Sequence, residues 1–325
     1  MSSQRLLNKL NKCLESGDYY ESHQIYRTLY YRLLREKKHL QLCQLLFDGS
    51  ILLMTSGQHN SGADLATLYI QLLIESNNKT VNDEEIVGQD QLLDNIRRLF
   101  ELIPPKTPER VTFIGTTSKV TFIPMTAIRR QFATVLWREK NFVESRQHFV
   151  HSSDSGIECS EMLIEFQTTL GYPSEVDLFI AQFVLQVLCL RNKPMADQTF
   201  REYTSKHPSI NNSNPPFLLP LLNFLSFLLM AIDSGKSETF KLLTESYGTT
   251  LKRDPSFNDY LSQIGHIYFG IEKASRGGPQ GFFGNFIQSL LEDSDEEHSS
   301  NADSGNANRT IDSRSQQRAE DVELD

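Results

Sequence analysis

One tryptophan and four cysteines in 325 residues leave little room for two kinds of chemistry. Cys13, Cys43, Cys159 and Cys189 stand 30, 116 and 30 residues apart with no CxxC pair, which excludes a zinc ribbon and a CxxC redox centre. They read as reduced, buried thiols of a cytosolic protein. No GxGxxG follows a strand pattern, and GxxxxGK[ST], HExxH and GxSxG are absent, so the chain shows none of the familiar nucleotide-binding, zinc-protease or serine-hydrolase signatures. His148, His151, Asp154 and Cys159 lie near one another in sequence. Their segment reads as a helix end followed by a serine-rich loop, so the expectation is no catalytic, cofactor or metal site.

Long hydrophobic runs are missing too. The densest, PPFLLPLLNFLSFLLMAI at 215–232, is broken by Pro220, Asn223 and Ser226 and falls short of the ~20 apolar residues that cross a bilayer. It reads as a buried helix, and no stable membrane insertion is expected. The first twenty residues hold no apolar run behind a basic start, so no signal peptide is expected. Positive charge is also scarce. The net charge is −9, yet residues 292–325 hold 11 acidic and 3 basic side chains, leaving 30 acidic against 29 basic in residues 1–291. A near-neutral body offers no broad basic surface for nucleic-acid backbones. The acidic stretch 292–325 has too few apolar residues to offset chain entropy and is expected to be disordered.

What the chain does have is repetition. DYYESHQIY at 18–26 returns as NFVESRQHF at 141–149. As helices, both place aromatics and one serine, Ser22 or Ser145, along a single side at steps of three and four. Asp18 and Asn141 precede them as N-caps, with Glu21 and Glu144 three residues on, as in a capping box. A small residue on the packing side lets another helix approach closely. Weaker echoes begin near residue 58, with Ser61 and Ala63, and at Asn192, with Ala196 and Phe200. Starts at 18, 58, 141 and 192 suit helix pairs of about 34 to 47 residues. Each phrase would open the second helix of a pair, and stacked pairs would build an all-α, TPR-like solenoid of helical hairpins over 1–291. RVTFIGTTSKVTFI at 110–123 is the exception, because its β-branched flanks predict a small β-hairpin or a long loop.

Three stretches could bind other chains. YRTLYYRLLREKKH joins Arg27, Arg32, Arg35, Lys37 and Lys38 to Tyr26, Tyr30 and Tyr31, and arginine and tyrosine are favoured interface anchors. The C-terminal third is apolar on all sides of its helices, so a partner helix or the chain's own end should cover it. GFFGNFIQSLLEDSDEE spaces Phe282, Phe283, Phe286, Ile287, Leu290 and Leu291 as a helix does, either a docking segment or a last helix. By themselves these residues fit a generic helical-repeat, peptide-binding scaffold in trafficking or in a multi-subunit assembly.

YYESHQIYRTLYYRLL, GQHNSGADLATL, PERVTFI, LWREKNFVESRQHFVHS, SEVDLFIAQFVLQVLCLRNK, YTSKHPSI, PPFLLPLLNFLSFLLMAID and LKRDPSFNDYLSQIGHIYFG follow one another between about 17 and 291. With the closing VELD, they resemble the Golgi to ER traffic protein 4 family. The segments ESNNKTVNDEEIVGQD and GTTSKVTFIP and most of the acidic end depart from it. The resemblance implies a cytosolic, non-catalytic α-solenoid serving the delivery of tail-anchored membrane proteins. Its N-terminal half, about 1–150, would face the targeting ATPase. Its C-terminal half, about 151–291, would face a BAG-domain scaffold protein or a ubiquitin-like adaptor. On that basis Tyr26, Arg27, Tyr30, Tyr31 and Arg32 are expected to dock the ATPase. Phe217, Leu218, Phe224, Phe227, Tyr260, Ile264 and Tyr268 are expected to line the adaptor or scaffold groove.

Overall fold

The computed structural model describes residues 3–79 and 88–271. Among the described residues the regular structure is helical, without a strand. The chain runs through α1 (Ser3–Glu15), α2 (Tyr19–Arg35), α3 (His39–Thr55), α4 (His59–Lys79), α5 (Gln89–Leu102), α6 (Pro108–Thr117), α7 (Met125–Arg138) and α8 (Phe142–Val150). It continues through α9 (Gly156–Leu170), a 3-10 turn at Pro173–Glu175, α10 (Val176–Cys189), α11 (Lys193–Lys206), α12 (Pro220–Ser234), α13 (Ser237–Ser246), α14 (Gly248–Leu251) and α15 (Ser256–Phe269). The candidate docking segment at 281–291 and the acidic stretch 292–325 lie outside the described residues.

Five connections repeat one device. At α1–α2, α2–α3, α3–α4, α7–α8 and α10–α11 a left-handed residue ends one helix: Gly17, Lys37, Gly57, Lys140 and Arg191. Its N–H donates to the carbonyl three residues back, and the next residue's N–H donates to the carbonyl five back, as in Lys140 to Trp137 (2.9 Å) and Asn141 to Leu136 (2.9 Å). This pair of bonds is a Schellman motif, which satisfies the orphan carbonyls of the helix end. At three of the five the second residue's side chain then caps the following helix. Asp18, Asn141 and Asn192 accept the N–H of the residue three ahead, Glu21, Glu144 and Met195. The repeated phrase therefore does begin the second helix of a hairpin.

At four of these five starts the residue four places beyond the cap position is small, Ser22, Gly62, Ser145 and Ala196, with Ser22, Ser145 and Ala196 fully buried, whereas α3 has Leu42 there. The Ser145 hydroxyl donates to the Ala133 carbonyl of α7 at 2.8 Å. At the third hairpin the close approach falls on Gly62, where a Cβ would stand 2.9 Å from the Ser50 carbonyl oxygen and 2.3 Å from Met54 Cγ. Ser61 and Ala63, the residues expected in that role, flank it.

The expected hairpin or loop at 110–123 is instead mostly helix α6. Thr107 caps Arg110 N–H, Pro108 fills the first turn, and the hydroxyls of Thr112, Thr116 and Thr117 bond carbonyls four residues back. Tertiary packing completes the reversal of β propensity. Phe113 is fully buried in the cluster with Phe100 and Phe132, and Arg110 makes two 2.8 Å bonds to Glu139 while lying 4.0 Å over the Phe100 ring.

In the C-terminal half, α10 is buried on nearly every side, from Val176 through Cys189. A helix apolar all round has to be enclosed. Helices α8, α9, α11, α12 and α15 pack around it. Arg253 joins Asp177 at 2.6 Å and the Ser174 carbonyl at 2.8 Å, tying the segment before α15 to the start of α10.

Candidate interaction surfaces

Helix α2 divides its tyrosines between two environments. Tyr26 and Tyr30 are buried, and burial lifts each phenol to a pKa of about 12. They belong to the core, Tyr26 with its ring where a Cβ at Gly49 of α3 would fall, so neither is free to meet a partner. Arg27, Tyr31 and Arg32 remain toward the surface, with Tyr31 56% exposed and edge-on to Tyr30. Arg27 is 3.7 Å from Asp64 of α4, whose carboxylate also meets His23 at 2.8 Å. Tyr20, Gln24, Arg27 and Tyr31 thus form an open stripe at steps of four, three and four, with Asp64 beside it. Tyr20, 79% exposed beside the part-buried Tyr19, joins the stripe by helical spacing alone.

The C-terminal candidates divide in the same way. Phe217, Phe224, Tyr260 and Ile264 are buried. Phe217 packs edge-on against Phe200, and Phe224 tilts against Tyr247. The Tyr260 hydroxyl accepts from Gln186 Nε2 at 2.8 Å, and Gln186 Oε1 accepts from Arg146 at 2.5 Å. Burial pulls the Arg146 pKa down, with the phenol of Tyr260 among the groups opposing that. Tyr268 is half-buried, its hydroxyl enclosed with no hydrogen-bond partner among the described residues. Phe217, Phe224, Tyr260 and Ile264 are therefore core side chains and not the wall of an open groove. Leu218 and Phe227 are exposed, joined by Met230 on α12 and Leu242 on α13.

The loop between α11 and α12 bounds a pocket of about 130 Å³ with Pro173 and Val176 on its other side. Its lining carries Ser209, Asn211 and Asn212 but no charged residue. Sequence periodicity could not find it, because the loop has none.

Cys159 is fully buried, and burial raises its thiol well above the ordinary value, against a nucleophilic thiolate. Burial holds His148 down to a pKa of about 3, aided by Arg129 and His151. Among the described residues no group of His, Cys, Asp and Glu is arranged to hold a metal, and no helix is long and apolar enough to cross a membrane.

A solved structure shares this architecture. The crystal structure of C. therm. Get4 superposes with a TM-score of 0.71 over 89% of this chain and 95% of that one, at 24% identity, which speaks for the fold. The Golgi to ER traffic protein 4 homolog of Homo sapiens is 42% identical over 299 residues, 90% of this chain and 88% of its own length. The Xenopus tropicalis homolog is 43% identical over 293 residues, 89% of this chain and 87% of its own. The family model for Golgi to ER traffic protein 4 matches residues 36–291. With those matches spanning most of the helical body, the chain belongs to the Golgi to ER traffic protein 4 family.

Proposed function

We propose that this protein is a cytosolic, non-catalytic scaffold in the post-translational delivery of tail-anchored membrane proteins to the ER. It bridges a chaperone complex, built on a BAG-domain protein or a ubiquitin-like adaptor, to the targeting ATPase. The observation that carries this reading is family membership along nearly the whole helical body. Burial of the cysteine thiols fits a binding body, as does the presence of exposed aromatic and apolar side chains in both halves. Bridging needs no new chemistry. Holding a loaded chaperone beside the ATPase raises its effective concentration to about the millimolar range.

The ATPase contact is assigned to Arg27, Tyr31 and Arg32, the members of the α2 run that remain toward the surface. Reversing both arginines to glutamate should weaken ATPase binding by about tenfold or more while leaving the circular dichroism unchanged. Undiminished binding would remove the assignment. Affinity capture of the full chain from cytosol with mass spectrometry separates this function from a generic repeat scaffold. It should return the targeting ATPase together with a BAG-domain or ubiquitin-like partner, and absence of all three would refute it.

A further inference from the structure

Where α11 runs out into the loop before α12, a chain of hydrogen bonds leaves each proton a single place. The Tyr172 carbonyl can only accept, and Gln167 Nε2 donates to it at 2.9 Å. Gln167 Oε1 is therefore the acceptor that faces His207 Nε2 at 2.9 Å, and that nitrogen carries the ring hydrogen. From the other side the Ser209 N–H can only donate, at 3.1 Å to His207 Nδ1, which must be bare. The two ends, argued separately, assign the same neutral tautomer to the ring. A further bond from the Ile210 N–H to the His207 carbonyl, at 3.1 Å, closes the turn. The far end of the loop is fastened by a group that does not titrate. Phe217 N–H donates to Asn223 Oδ1 and Asn223 Nδ2 donates to the Phe217 carbonyl, each at 2.8 Å.

His207 and Gln167 are both buried, with the Tyr203 ring 5.0 Å from the imidazole. Among the described residues no charged group bonds this ring. On α11 the neighbouring Lys206 is held by Glu202 and by Glu161 of α9. In the 3-10 turn Glu175 accepts the Tyr172 N–H, and at the start of α10 Asp177 pairs with Arg253. Residues 208–219 carry no charge at all. A proton on Nδ1 would turn the acceptor of the Ser209 N–H into a second donor and bury a charge with no counter-charge. We infer that His207 is a proton-sensitive latch, which holds the start of the α11–α12 loop to α9 when neutral and releases residues 208–214 when protonated. The same loop walls the hollow beside Pro173 and Val176, so the latch also governs whether that hollow keeps its shape. Burial holds the His207 pKa below its ordinary 6.5. The latch is therefore fully closed above pH 6.5 and weakens as pH falls through the lower, folded value. The inference stands apart from the function proposed above.

Nuclear magnetic resonance on the full chain tests it. The His207 ring nitrogens should show the Nε2–H tautomer at pH 7. Protection factors of the Ser209 and Ile210 amides, corrected for the intrinsic exchange rate at each pH, should fall about tenfold between pH 7 and pH 5. Phe217, clasped by Asn223, should keep its protection. His207→Asn offers the Ser209 N–H a side-chain oxygen that takes no proton, so its loop should be equally protected at both pH values. His207→Gln reaches toward Gln167 but leaves the Ser209 N–H without its acceptor, and should be poorly protected at both. An Nδ1–H tautomer, or Ser209 protection in the wild-type chain that ignores pH, would overturn the latch. Wild-type acid dependence surviving in His207→Asn would give the proton to another group, and full Ser209 protection in His207→Gln would make Nδ1 dispensable; either result would also overturn it.

Discussion

At Gly62 a single hydrogen in place of a side chain decides whether α3 and α4 can touch. Gly62→Ala would gain helix propensity, but its methyl meets main-chain atoms of α3 that cannot move aside. The net cost should be about 1 to 2 kcal/mol in denaturant unfolding. His148 makes a second residue-level case. Its folded pKa of about 3 lies below its unfolded value of 6.5. Its neutral form therefore stabilises the fold fully above pH 6.5, and that stability is lost as pH falls toward 3. Between pH 7 and 5 this amounts to about 2 kcal/mol. His148→Phe, which keeps a ring against Phe132, should unfold less steeply with acid, a difference that urea titrations at the two pH values would read. His207, also lowered by burial, acts in the same direction.

At the scale of the helix, the caps at Asp18, Asn141 and Asn192 and the small residues behind them were legible because each obeys a local rule. The turns at Lys37, Lys140 and Arg191 were not, since a long cationic side chain is a poor advertisement for left-handed backbone. Glycine relieves that strain at some cost in chain entropy, so Lys140→Gly should raise stability by about 0.5 kcal/mol, visible as a higher Tm. Helix α6 escaped for the opposite reason. Its threonines and valine favour strands one by one, whereas the Phe100, Phe113 and Phe132 cluster that overrides them is assembled from separate helices. Helix α12 shows why composition located an apolar end without locating a surface. Phe224 and Phe227 look alike in the sequence, yet one is fully buried and the other 43% exposed. Phe224→Ala should cost about 3 to 5 kcal/mol. Phe227→Ala should change stability by less than about 0.5 kcal/mol, and thermal melts of the pair would test the division.

Across the whole molecule, hairpin stacking was foreseeable from the returning phrase, but the enclosure of α10 was not. Five helices surround it, among them α8, α12 and α15 from outside its immediate chain neighbours, and no local pattern encodes which of these arrive. The Asp177–Arg253 link is one place where such distant parts are fastened. Asp177→Asn removes the charge and should cost about 1 to 3 kcal/mol. Amide hydrogen exchange should then quicken in α15 while α1–α8 keep their protection, because neighbouring hairpins pass little stability along the array. Uniform loss of protection would instead describe a single cooperative block.

The five Schellman turns bear on which lineages of this chain can exist. Inserting or deleting one residue there would swing the following helix through about 100° and carry its apolar stripe out of the stack. Length variation among descendants should therefore spare these corners and accumulate in connections such as the one between α11 and α12.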